Sequence, residues 1–265
     1  MDENLMSFSM DSFRIDGKVA LITGANHGLG EAYAIALAKA GADIFIQHHS
    51  ADVSRVKEEI ESIGRRVCFL QGDLTDEAFR QACVDKCVEE YGRIDILVNN
   101  AGCNHADFLL DFPDEDWRRV VDLQLAAVHF FSRAVAKIMA KNGYGKIINI
   151  GSALSYAADL NSCAYTAAKH AIIGVTRSYA AELGKCGIRC NCIAPGFFMS
   201  NVTNEIRAMN PAVYSKTCER MPLSDGDWGN IKDLMGAIVF FASPASDYIS
   251  GETMAVDGGF KAVMV

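Results

Sequence analysis

Thr23-Gly24-Ala25-Asn26-His27-Gly28-Leu29-Gly30 decides the fold. An apolar run, residues 19–23, leads into it, and an amphipathic helical pattern over 29–40 follows it. Three glycines between a strand and a helix have separate uses: a tight turn, close approach of backbone to a ligand, and close packing of helix on strand. The helix start adds free N–H groups and the positive end of a dipole, which suit phosphate. Gly24, Asn26, His27, Gly28, Leu29 and Gly30 are therefore candidate ligand contacts. Glycines in this spacing also occur in plain turns, so the rest of the chain has to support the reading.

Working outward, short apolar runs alternate with helical patterns to the end of the chain. Strands are predicted over 44–47, 67–70, 94–98, 146–150, 188–193 and 253–256. Helices are predicted over 53–63, 77–90, 115–141, 164–184 and 231–242. Strand–helix alternation with short buried strands implies an α/β fold, a doubly wound parallel sheet covered on both faces. No Gly/Ser or Pro linker and no repeat divides it, so one domain is expected over 17–265, behind an extension over 1–16. The irregular stretch 196–230, after the sixth strand, is placed to form a substrate lid.

The chain has 265 residues, half of them hydrophobic, with a net charge of −8 and a pI of about 5.3. An acidic chain has no general attraction to nucleic acid or an anionic membrane. No run reaches the roughly 18 apolar residues of a membrane span, and the first residues do not read as a signal peptide. A cytoplasmic protein is expected. Nine cysteines, an odd number, argue against a disulfide framework. Cys83/Cys87 and Cys190/Cys192 lack a second pair at zinc spacing, so no metal site is expected. Cys163, close to Tyr165, is the thiol to watch for oxidation.

Other strand ends support a nucleotide crevice. Asp73 and Leu74 end the third strand, where a carboxylate can accept from an adenine amino group. Asn100, Ala101 and Gly102 end the fourth, with small residues against which a nucleotide can lie. At the end of the second strand, an acid would bond a ribose 2′-OH and an Arg would favour a 2′-phosphate. Gln47-His48-His49-Ser50 gives neither signal. His48 and His49 are candidate contacts there, and the lack of Arg or Lys favours NAD(H) slightly over NADP(H).

Tyr165-Thr166-Ala167-Ala168-Lys169 places a phenol and an ammonium one helical turn apart. A free tyrosine is only about 0.1% ionised at neutral pH. A nearby ammonium is expected to lower its pKa and make it a general acid or base. Ser152, just after the fifth strand, can hold a substrate oxygen beside the phenol.

With the glycine turn, Asn99-Asn100-Ala101-Gly102, Pro195-Gly196 and Asp257-Gly258-Gly259, the chain resembles the short-chain dehydrogenase/reductase family over 13–265. The resemblance implies a Rossmann-like seven-stranded sheet, a nicotinamide cofactor and a homotetramer, with the apolar end Ala262-Val263-Met264-Val265 as a possible buried edge. It implies Tyr165 as acid/base, with Lys169 lowering its pKa and holding the ribose. Ser152 would orient the substrate, Pro195 and Gly196 border the nicotinamide, and Ser200 bond the carboxamide. The family usually has Asn where this chain has Gln124, which would complete the catalytic group with an added methylene.

Within the family the resemblance is to the sugar-acid dehydrogenases, through stretches such as Lys146-Ile147-Ile148-Asn149-Ile150 and Gly174-Val175-Thr176-Arg177. It implies interconversion of a secondary alcohol and a ketone on a sugar acid such as 2-dehydro-3-deoxy-D-gluconate or gluconate. Where that group carries Arg after the Asn-Asn-Ala-Gly stretch, this chain has Cys103-Asn104-His105-Ala106. Arg is the natural carboxylate reader, and Arg207 or Arg220 can supply one from the lid. Ser152, Leu154, Asn104, His105, Tyr165 and Arg207 are the candidate substrate contacts. A neutral sugar or polyol is the rival substrate. A non-catalytic dinucleotide-binding assembly or sensor protein is the rival class.

Overall fold

The computed structural model describes residues 9–49, 52–200 and 210–263. Ser50, Arg207, Met264 and Val265 lie outside the described residues.

β1 (Val19–Thr23) is buried at every position. It is flanked by β2 (Asp43–His48) and β4 (Ile96–Asn99). β3 (Val67–Gln71), β5 (Gly145–Ile150), β6 (Ile188–Pro195) and β9 (Thr253–Val256) complete a seven-stranded parallel sheet, ordered β3-β2-β1-β4-β5-β6-β9. Alternate side chains enter two cores. Ala20 and Ile22 of β1 join the core that includes Tyr33 and Leu37 of α1 (Gly28–Lys39) and Ile238 and Phe241 of α8 (Met235–Ala242). Val19 and Leu21 join the core that includes Cys83 and Cys87 of α3 (Glu77–Tyr91) and Phe131 and Met139 of α5 (Ala127–Asn142). Both faces are covered, which explains the uninterrupted apolar runs. The strand order reverses between β1 and β4, the point at which open α/β sheets bind ligands, outside the carboxyl ends of the strands.

Three features differ from the sequence reading. The helix predicted over 115–141 is interrupted. α4 (Asp114–Val121) passes into a π-helical turn, Asp122–Ala126, before α5 begins. Periodicity does not report one extra residue in a turn. The chain also joins the core before residue 17. Ile15 is buried, and Phe13, in the 3₁₀ turn Met10–Phe13, lies 6.3 Å from Phe240. Finally, the irregular stretch after β6 contains a helix, α7 (Pro211–Arg220), and two short strands, β7 (Phe198–Met199) and β8 (Gly229–Asn230), that pair with each other. Trp228, Met221 and Cys218 give this region a small core of its own.

A buried polar chain ties the central strands to the helices that carry the site. Asn99 Nδ2 donates to Ser132 Oγ and to Asn149 Oδ1, each at 2.8 Å. Asn149 Nδ2 donates to Thr176 Oγ1 (2.9 Å) on α6 (Cys163–Leu183), and Thr176 Oγ1 donates to the Ile172 carbonyl. An apolar residue at 149 takes one of two hydrogen bonds from both Asn99 and Thr176 in a dry interior, and each buried group left short of a partner costs about 1–3 kcal/mol. Asn149→Leu is expected to destabilise the protein by about 2–4 kcal/mol. Urea unfolding checks it, and an unchanged midpoint refutes it.

Candidate active site

The glycine turn is locked to the neighbouring strand ends. Thr23 Oγ1 accepts from the N–H groups of Asn100 and Ala101, each at 3.0 Å. Asn100 Nδ2 donates to the carbonyls of Thr23 (3.0 Å) and Gly24 (2.9 Å). Gly24 has φ +63°, and a Cβ there would sit 2.9 Å from Ala101 Cα. At Gly30 a Cβ would collide with the Gly24 carbonyl and the Asn100 amide. Gly28, also at positive φ, has nothing within 4 Å of its missing Cβ. The turn is thus crowded behind and open in front, at the start of α1. Those are the conditions under which backbone N–H groups can hold a pyrophosphate.

Gln47 turns inward. Its Nε2 donates to the Gly72 carbonyl (2.8 Å) and its Oε1 accepts from Gly24 N–H (3.2 Å). It joins the ends of β1, β2 and β3 rather than facing a ribose. The polar content of Gln47 gave no hint of this, because the partners come from two other strands. His48 is buried edge-on to Phe69, whereas His49 is exposed. Asn26 Nδ2 donates to the Asp52 carbonyl, and His27 caps α1 without a side-chain bond. Asp73 is exposed, with Oδ1 accepting from Thr75 N–H (2.8 Å). Leu74 is buried in the core, so its side chain faces away from the crevice. Gly196 packs against Asp257, and Ser200 lines a cleft of about 430 Å³ that also includes Gly28 and Met199.

Ser152, Tyr165 and Lys169 come together. Ser152 caps the 3₁₀ turn Ala153–Ser155, accepting from Leu154 N–H, and its own N–H donates to Ser155 Oγ (3.1 Å). Ser155 Oγ donates to the Lys169 carbonyl (2.8 Å), which fastens this turn to α6. Ser152 is the polar neighbour of the Tyr165 phenol, and its influence favours the ionised form. Lys169 Nζ donates to the Ile150 carbonyl (2.8 Å) and lies 5.4 Å from the Tyr165 ring centroid.

The electrostatics correct one expectation. The Tyr165 pKa is raised: burial pushes it up, and Ser152 only partly offsets this. Lys169 does not lower it in the chain alone. Its Nζ is turned to Ile150, and burial pushes its own pKa down to about 8. Desolvation disfavours both charged forms, so it outweighs the mutual help expected from their spacing.

Gln124 sits in the π turn, buried, donating through Nε2 to the Cys103 carbonyl. Its Oε1 has no partner among the described residues, and a Cβ at Gly102 would come within 3.0 Å of it. Gln124 therefore supports the loop after β4. Of the substrate candidates, Leu154 is partly buried in the turn after Ser152, and Asn104 is exposed beside His105. Arg220 stacks on Phe260 (4.2 Å), with its Nε buried and unpartnered.

A family model described as enoyl-(acyl carrier protein) reductase matches residues 24–261. An uncharacterized oxidoreductase of Escherichia coli strain K12 is 45% identical over 97% of this chain and 98% of its own. The chain belongs to the short-chain dehydrogenase/reductase family. It is an NAD(P)-dependent oxidoreductase that acts on CH–OH groups. A 2-dehydro-3-deoxy-D-gluconate 5-dehydrogenase of Dickeya dadantii is 41% identical over 96% of this chain and 99% of its own. The crystal structure of a gluconate 5-dehydrogenase from Burkholderia cenocepacia, in complex with NADP and tartrate, superposes with a TM-score of 0.90. It is 36% identical, covering 96% of this chain and 99% of that one.

The depressed Lys169 pKa makes a stability prediction. A lysine at about 8 when folded and 10.5 when unfolded binds fewer protons folded than unfolded between those values, so stability rises with pH there. Below about pH 8 the buried charge is a full burden. Lys169→Met removes it at the loss of one hydrogen bond, and is expected to raise stability at pH 7 by about 1–2 kcal/mol. The advantage should shrink as pH rises from 8 towards 10.5. Thermal melts of the cofactor-free proteins across that range check this, and a variant less stable at pH 7 refutes it.

Proposed function

We propose that this enzyme interconverts a secondary hydroxyl and a ketone on a sugar acid of the gluconate or 2-dehydro-3-deoxy-D-gluconate type. The observation that carries it is the gathering of Ser152 and Tyr165 beside the buried Lys169, at the same sheet edge as the glycine turn. The named relatives support the substrate class. A nicotinamide held here would supply or accept the hydride. Tyr165 gives or takes the proton on the substrate oxygen, and Ser152 orients that oxygen. Lys169 holds the ribose and supplies charge, while Gln124 supports the adjoining loop. Gly24, Gly28, Leu29 and Gly30 hold the pyrophosphate, and Asp73 and the Leu74 backbone meet the adenine. Asn26, His27 and His49 flank the adenosine ribose. Pro195, Gly196 and Ser200 border the nicotinamide, and Asn100, Ala101 and Gly102 back it. Residues 196–230 act as the lid.

With Gln47 turned inward, the end of β2 presents no carboxylate to repel a 2′-phosphate. Both NADP(H) and NAD(H) are therefore accepted, and NADP bound to the gluconate 5-dehydrogenase supports the phosphorylated form. One observation favours a second substrate reading. The loop after β4 offers no Arg, and Arg220 is engaged with Phe260, which suits a neutral sugar or polyol. Nine free thiols fit a cytoplasmic address.

Phe at 165 has no proton to give. Tyr165→Phe is expected to lower turnover of gluconate by about 10²–10⁴-fold or more while binding of NADP(H) is largely kept. Near-normal turnover refutes the mechanism, and calorimetry that finds neither dinucleotide bound refutes the cofactor assignment.

An apolar groove of about 460 Å³ runs between α5 and α6, lined by Ala136, Ala140, Val175 and Leu183, with Arg133 and Glu182 on its rim. Opposite charges on one patch suit a two-fold contact in which each Arg133 meets the other copy's Glu182. This groove supports assembly to a homotetramer. Light scattering at micromolar concentration is expected to give four chains, and a monomer refutes it.

A further inference from the structure

The loop joining β4 to α4 is pinned at both ends beside the catalytic residues. At Gly102 and Cys103 it rests on the Gln124 side chain. The Cys103 thiol lies within electrostatic reach of Lys169, Asp116 and Arg119. At Asp107 the backbone N–H donates to the Asn161 carbonyl (3.0 Å), on the segment between Ser152 and Tyr165. His105 stands midway between these pins.

The imidazole of His105 is held rather than loose. Its Nε2 is buried without a hydrogen-bond partner among the described residues, 3.5 Å from Asp116 Oδ2 and 3.9 Å from Asp107 Oδ2. Its ring meets Phe112 edge-on, with centroids 5.4 Å apart. Asp116 is itself fixed, with Oδ1 accepting from Arg119 (2.7 Å). Carboxylates beside Nε2 favour the tautomer that carries its proton there. Nδ1 is then left with a lone pair, turned away from the carboxylates.

We infer that His105 reads one hydroxyl of the substrate through Nδ1, and that Asp116, braced by Arg119, is the residue that positions it. A substrate carboxylate at Nδ1 has no proton to give the lone pair, and the negative charges of Asp107 and Asp116 beside Nε2 oppose it. A hydroxyl carries no charge to be repelled and donates to the lone pair. The inference rests on a carbohydrate-like substrate, as proposed above, and it assigns this loop to hydroxyl recognition where the sugar-acid dehydrogenases it resembles carry Arg.

The test measures kcat and KM for D-gluconate, its mono-deoxy analogues and gluconamide, whose neutral amide replaces the carboxylate. A site that bonds a hydroxyl rejects the analogue lacking it, so the native enzyme should discriminate strongly against one deoxy analogue. His105→Ala is expected to raise KM for gluconate about 10–100-fold with kcat little changed, and to erase that discrimination. His105→Asn, which keeps an acceptor near the Nδ1 position, should restore much of it. Asp116→Ala should act in the same direction, and should add nothing in the His105→Ala background.

The inference is overturned if His105→Ala affects every analogue equally or none, or if Asn is no better than Ala. It is also overturned if the penalty disappears with gluconamide, which would mean that the carboxylate is what His105 binds. Cofactor binding with turnover of no gluconate refutes the sugar-acid reading instead. The same variants are then compared on the polyol that is turned over, because a hydroxyl reader needs no carboxylate.

Discussion

The close approach of Gly24 to Ala101 governs the geometry of the crevice. With φ +63° and no Cβ, Gly24 lets the turn after β1 lie directly on the end of β4. Thr23 and Asn100 then exchange hydrogen bonds across the gap, and Gln47 extends the lock to β2 and β3. The ends of four strands are thus held as one surface before any ligand arrives. A floor of this kind suits a dinucleotide, because little ordering is left to be done on binding.

The candidate catalytic residues are held against a desolvation cost. Lys169 and Tyr165 are buried together, and burial opposes the charged form of each. Such sites lower the stability of the empty protein and gain their use from what binds there. Lys169 keeps its place because its backbone and side chain are both engaged. Its carbonyl accepts from Ser155 Oγ and its Nζ donates to Ile150. The same two bonds fix the distance between the turn of Ser152 and the helix of Tyr165.

The candidate substrate contacts come from elements with little packing in common. The loop after β4 is positioned from beneath by Gln124 in the π turn and from the side by Asn161. The stretch after β6 has its own small core around Trp228, whose Nε1 donates to Thr217 Oγ1 (2.7 Å). Loops supported in this way can change their side chains without disturbing the sheet. That is how one scaffold can exchange a carboxylate reader for a hydroxyl reader.

The order of strands and helices, the glycine turn, and the placing of Ser152, Tyr165 and Lys169 at strand and helix ends were legible in the sequence. These depend on local pattern: apolar runs, glycine spacing, and a phenol one turn from an ammonium. Other features depended on partners distant in the chain. Gln47 gave no cofactor signal in the sequence, and it bridges Gly24 and Gly72. Asn149 looked like part of a strand but is the centre of a buried network. The π turn at Gln124 broke a helix whose periodicity gave no sign of it. The Tyr165 pKa reversed its expected direction for the same reason. Spacing along a helix reveals that a lysine is near, but desolvation depends on everything packed around the pair, which only the folded chain assembles.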